Sequence, residues 1–106
     1  MAVRVNAENF DDEVLNAQRR VLADFYSDSC VPCKRMSPVL AELEETYGQQ
    51  LTVGKVNIAY ETDLVQQYEV TSAPTFLIFQ NGEVKDRFTG VVKKEQIEEK
   101  LNAVKE

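Results

Sequence analysis

Histidine is absent from this chain, and two kinds of mechanism are excluded with it. Without an imidazole there is no Ser-His-Asp or Cys-His couple to activate a nucleophile and no histidine metal site. Tryptophan is missing too, so no indole can cover a reactive centre. Long hydrophobic runs are lacking. The longest in the interior is Phe76-Leu77-Ile78-Phe79, far short of the roughly 20 apolar residues that cross a bilayer. Basic residues are outnumbered, 12 against 18 acidic ones, giving a formal net charge of −6. That balance argues against nucleic acid or an anionic membrane as the main partner. Glu8, Asp11, Asp12 and Glu13 stand where a secretory segment would carry its apolar stretch. The expected location is therefore the cytoplasm, a reducing compartment in which structural disulfides are rare.

What remains is a globular composition. With 43% apolar and 28% charged residues, disorder is not expected, and 106 residues suit a single domain over 1–106 with one core. No internal repeat, linker or low-complexity segment interrupts it. Residues 3–5 form a short strand candidate. Phe10, Val14, Leu15 and Ala17 make a helical stripe behind Asn9 as a cap. Residues 21–26 read as a buried strand. Met36, Val39, Leu40, Leu43 and Tyr47 recur at helical spacing, with Glu42, Glu44 and Glu45 facing away and Gly48 as the stop. Residues 51–58 read as a strand, and Leu64, Val65 and Tyr68 as a short helix. Strands 75–79 and 83–89 flank Asn81-Gly82, a strong hairpin signal. Ile97, Leu101 and Val104 mark an amphipathic helix over 93–105. Alternation first and a hairpin last imply an α/β fold, a mixed sheet with helices on both faces. In such folds a site forms at the carboxyl ends of the strands.

Cys30 lies just beyond one such end. Cys30-Val31-Pro32-Cys33 contains the only two cysteines in the chain. A zinc site needs four ligands and one CxxC supplies two, so metal would require a dimer or carboxylates. Inert core thiols fit poorly at a strand end. A structural staple gains little: closing a four-residue ring stabilises by roughly 2 kcal/mol in the chain-entropy account, against about 3 for a 15-residue loop. Redox exchange fits best. Positions i and i+3 share a helix face at disulfide-compatible separation, and Pro32 suits a first helical turn. The helix N-terminus favours a thiolate on Cys30, expected to be the exposed nucleophile with a lowered pKa. Cys33, a turn deeper, is expected to be the resolving thiol. Asp24 breaks an apolar strand. If that strand is central, its carboxylate is desolvated and its pKa is raised.

Taken together, these motifs resemble the thioredoxin family. Ala23-Asp24-Phe25-Tyr26 is similar to its V-D-F-W/Y strand, and Cys30-Val31-Pro32-Cys33-Lys34 to its C-G-P-C-K motif. Pro38 matches its helix-kinking proline, Lys55-Val56-Asn57-Ile58 its K-x-N-I/V strand, and Ala73-Pro74-Thr75 its I/V-P-T turn. Phe79 to Val84 and Gly90 complete a match running from about residue 10 to 101. The resemblance implies a five-stranded mixed sheet in the order 1-3-2-4-5, flanked by four helices. It implies reduction of protein disulfides by dithiol exchange through Cys30 and Cys33, with that redox-active disulfide in place of any bound cofactor and no metal. The implied partners are a thioredoxin-reductase-type electron donor and disulfide-containing target proteins. Neither nucleic acid nor membrane is implied, and the chain is expected to be a monomer. Asp24 is implied to move protons to and from Cys33, with Lys55 facing it. A cis Ala73–Pro74 bond is implied beside the disulfide. Ser29, Val31, Ala73, Pro74 and Gly90 are the implied substrate-binding positions, with Pro32, Lys55 and Pro38 in support.

The sequence also departs from the family. Ser29 stands where the family carries Trp before the first cysteine, Val31 replaces glycine, Ala73 replaces Ile or Val, and Asp28 adds negative charge near Cys30. These changes leave the thiol chemistry intact and point to altered recognition. Tyr60 is read as an ordinary surface tyrosine. Three further functions compete: a donor dedicated to one enzyme, a binding module with incidental thiols, and a zinc-linked dimer.

Overall fold

The strand Arg20–Tyr26 (β2) organises the molecule, because six of its seven residues are buried. In the computed structural model, which describes residues 2–104, β2 lies parallel to Leu51–Asn57 (β3) and antiparallel to Thr75–Gln80 (β4). Val3–Arg4 (β1) adds to the outer side of β3, and Glu83–Thr89 (β5) to the outer side of β4. The order is β1-β3-β2-β4-β5, as the resemblance implied. Among the described residues four helices accompany it, Asp11–Leu15 (α1, a single π-type turn), Val31–Tyr47 (α2), Thr62–Gln67 (α3) and Lys94–Ala103 (α4), and a short 3-10 turn, Gly48–Gln50, follows α2.

The period-2 alternation of a strand divides the core. Val21, Ala23 and Phe25 turn to one face, joining Phe10, Val14, Leu64, Leu77 and Phe79 from α1, α3 and β4. The rings of Phe10, Tyr68 and Phe79 meet there at centroid separations of 5.4 to 6.0 Å. Leu22 turns to the other face with Met36, Leu40 and Leu43 of α2, Phe76 and Ile78 of β4, and Ile97 and Leu101 of α4. Asp24 shares the parity of Leu22. The alternation that builds the core therefore delivers a carboxylate to the α2 face.

Two local expectations are corrected. Asn9 does not cap α1. Its side-chain oxygen accepts the Asn6 N–H and its amide donates to the Arg4 carbonyl, so it closes the preceding turn, and the cap position falls to Phe10 without a side-chain hydrogen bond. β2 begins one residue early, at Arg20, which pairs with Leu51 in the β2–β3 ladder while its guanidinium donates to the Leu101 carbonyl (2.8 Å) of α4. The terminal helix ends at Ala103, and the expected end at Lys105 lies outside the described residues. Gly48, at φ 54°, follows α2 as its C-cap. The hairpin forms on Asn81 and Gly82, at φ 54° and 80°, the positive pair that a two-residue primed turn requires.

Gly82 is constrained twice. Its φ disfavours any L side chain, and an added Cβ would stand 3.1 Å from the Leu15 carbonyl oxygen. Gly82→Ala is expected to lower unfolding stability by about 1–2 kcal/mol. Chemical denaturation followed by far-UV circular dichroism checks this, and an unchanged midpoint would contradict it.

Candidate active site: a dithiol at a helix start

β2 ends at Tyr26, four residues turn the chain, and α2 begins at Val31. Cys30 occupies the cap position with extended backbone (φ −87°, ψ 111°). Its Sγ accepts the Cys33 backbone N–H at 3.0 Å, the bond that a Ser or Asp oxygen would accept at an ordinary N-cap. The Cys30 carbonyl accepts from Lys34 N–H, and the Cys30 N–H donates to the Ser27 carbonyl, both at 3.2 Å. Pro32 stands in the first turn, where a missing N–H breaks no helical bond. Cys30 and Cys33 are joined by a disulfide with Cα atoms 5.2 Å apart. Cys30 is partly exposed and Cys33 buried, the asymmetry expected of an attacking and a resolving sulfur.

Behind Cys33 lies a cleft of about 180 Å³, lined by Asp24, Tyr26, Ser27, Asp28, Cys33, Lys34, Ser37 and Lys55. Asp24 is buried, and its Oδ1 meets no hydrogen-bond donor. Burial pushes its carboxyl up from 3.8 to about 6, while the Lys55 charge pulls the other way. Lys55 is the register partner of Asp24 across the parallel β2–β3 pair. Its Nζ lies over the Tyr26 ring, 5.4 Å from the centroid. That placement was not foreseen from the sequence. Asp24 and Tyr26 at i and i+2 of one strand, opposite a lysine, was the available signal. Asp28 is exposed and accepts a hydrogen bond from the Asn57 amide at 3.2 Å.

The register also gathers the remaining candidates. Phe25 pairs with Thr75, and Thr75 with Thr89, so the residues before β4 and after β5 lie at the same sheet end as Tyr26. The Ala73–Pro74 bond is cis there, and Gly90, at φ 81°, donates its N–H to the Pro74 carbonyl at 3.1 Å. Ser29 is exposed, its hydroxyl 3.2 Å from that of Ser27. Val31 is an exposed apolar side chain at 59%. Pro38 stands inside α2, on the turn after Ser37, outside the cleft, and the helix runs on through it. Tyr60 is exposed at 76% and borders a neighbouring cavity that shares Tyr26 and Asp28 with the cleft. Among the described residues no cluster of three or more His, Cys, Asp or Glu could hold a metal, and no helix is long and apolar enough to cross a membrane.

The thioredoxin family model matches residues 1–103. A thioredoxin of Buchnera aphidicola is 35% identical over 100 residues, covering 94% of this chain and 93% of its own. A thioredoxin of Rickettsia bellii is 33% identical over 102 residues, covering 96% and 97%. A mitochondrial thioredoxin of Mus musculus is 37% identical over 90 residues, covering 85% of this chain and 54% of its own. With a disulfide-linked Cys30 and Cys33 at the start of a helix on a β1-β3-β2-β4-β5 sheet, the chain belongs to the thioredoxin family.

Proposed function

We propose that this thiol–disulfide oxidoreductase reduces target proteins by a two-step exchange in which Cys30 attacks, Cys33 resolves and Asp24 carries the proton. The observation that carries the reading is the Cys30–Cys33 disulfide at the N-terminus of α2, with one sulfur partly exposed and the other facing a buried carboxyl.

In the reduced protein, Cys30 as thiolate attacks one sulfur of a target disulfide. A mixed disulfide forms and the other target sulfur leaves as thiolate. Cys33, once deprotonated, attacks Cys30 Sγ. The intramolecular disulfide closes, and the second target sulfur is expelled. Two electrons have passed to the target. A thioredoxin-reductase-type donor returns them from outside. Ser29, Val31, Ala73, Pro74 and Gly90 form the surface against which an extended target segment lies. With Ser29 and Ala73 in place of larger apolar groups, that surface is more polar and shallower on one side, which supports a narrower range of partners than the family norm. The reaction suits a reducing compartment such as the cytoplasm and a monomer.

Asp24 suits proton transfer because its pKa of about 6 lies near neutral pH. The cleft between it and Cys33 is large enough to hold water, so the proton need not pass by direct contact. Pro38 and Lys55 support this arrangement, the first within α2 and the second as the charge facing Asp24.

Two outcomes are expected. In a turbidity assay of insulin reduction, Cys30→Ser removes activity, whereas Cys33→Ser accumulates a covalent mixed disulfide that gel analysis without reductant detects. Turnover by Cys30→Ser would overturn the assignment. The second concerns stability. The Asp24 pKa is raised on folding, so its contribution is fully present below about pH 4 and is lost as pH rises through about 6. The stability of Asp24→Ala relative to the parent should therefore rise by about 2–3 kcal/mol between pH 4 and pH 7. Urea unfolding at both pH values measures it, and a pH-independent difference would contradict the buried-carboxyl account.

A further inference from the structure

Lys55 presents a puzzle that the exchange chemistry does not resolve. It is the strand-register partner of Asp24, both line the same cleft, and the carboxyl is buried. Opposite charges so placed would ordinarily close into an ion pair, since a desolvated carboxylate gains most from a direct cation. They do not close here. Asp24 Oδ1 has no hydrogen-bond partner, and the Lys55 ammonium rests instead over the ring of Tyr26. Tyr26 and Asp24 stand two residues apart on β2 and point to the same face. The ring therefore competes with the carboxylate for one cation. A cation over an aromatic face is attracted by the ring quadrupole, which biases a flexible lysine between two neighbouring rests.

We propose that Tyr26 is a positioning residue that holds Lys55 away from Asp24, leaving that carboxyl without a direct cation partner while it exchanges a proton in the resolving step. This inference rests on the reading of Asp24 as the proton carrier. The other groups facing Asp24 across the cleft are Lys34 and Cys33 from α2 and Asp28 from the turn after β2. From β4, the register partner is the uncharged Phe76. Of the groups lining the cleft, the Tyr26 ring is the one over which the Lys55 ammonium rests.

The test follows the Asp24 carboxyl carbon by NMR against pH in the full oxidised chain, for the parent, Tyr26→Phe, Tyr26→Leu and Lys55→Met. Removing the ring frees Lys55 to close on Asp24, so Tyr26→Leu is expected to lower the Asp24 midpoint by about one unit or more. Tyr26→Phe keeps an aromatic face and should leave it in place. The double variant Tyr26→Leu/Lys55→Met should lose the downward shift entirely, which a packing defect alone would not do. Tyr26→Ile, whose β-branched side chain suits a strand, serves should the leucine variant fail to fold. The pH profile of insulin reduction should move downward with the midpoint in the ring-free variants and stay put in Tyr26→Phe. A midpoint that is unchanged or raised in Tyr26→Leu and Tyr26→Ile overturns the positioning role. A parent midpoint already at the ordinary carboxylate value overturns the reading of Asp24 itself, so the two failures are distinguishable.

Discussion

The hydrogen bond from the Cys33 N–H to Cys30 Sγ is the interaction on which the chemistry rests. A helix start has N–H groups without helical partners and a partial positive charge. At most N-caps an oxygen takes up this potential. Here a sulfur does, and a sulfur stabilised as an anion is a nucleophile and a leaving group. Every larger feature of the fold can be read as a means of holding that helix start at a fixed place. β2 is buried along six of its seven residues and bound on both sides, so its carboxyl end is rigid, and only four residues separate it from Val31. Met36, Leu40 and Leu43 seat α2 on the sheet. The reactive end is thereby fixed by packing that lies well away from it.

The second constraint is a conflict between burial and charge. The strand alternation that packs Leu22 against α2 also buries Asp24. A buried carboxyl opposes the stability of the fold at neutral pH, and its lysine neighbour offsets this only in part. A residue that weakens the fold persists where its chemistry requires it. The cleft joins that carboxyl to the buried sulfur of Cys33, so the two share one small volume.

Much of this was legible in the sequence because the governing signals are local. The apolar run of β2, the helical stripe of α2, the Asn81-Gly82 turn and the Cys30–Cys33 spacing each act over a few residues, and they appear where the sequence places them, β2 to within one residue. The strand order came from the family motifs rather than from periodicity, because pairing among strands is a long-range property that a hydrophobic pattern does not encode. Asn9 was misjudged because its side chain had two local uses, helix cap and turn closure, and the choice depended on where β1 ended. The seat of Lys55 on Tyr26 was missed for a different reason. It depends on the parallel register of β2 and β3, which no local signal fixes. Ser29, Val31, Ala73 and Gly90 were picked out by resemblance, and the register explains why residues so far apart in sequence gather at one sheet end.

The central claim is that the start of α2 holds one sulfur as an anion. Titration of the Cys30 thiol in the reduced protein, followed by thiolate absorbance with Cys33→Ser as the control for assignment, tests it most directly. The account predicts a midpoint clearly below the roughly 8.5 of free cysteine, and a thiol titrating at or above that value would contradict it.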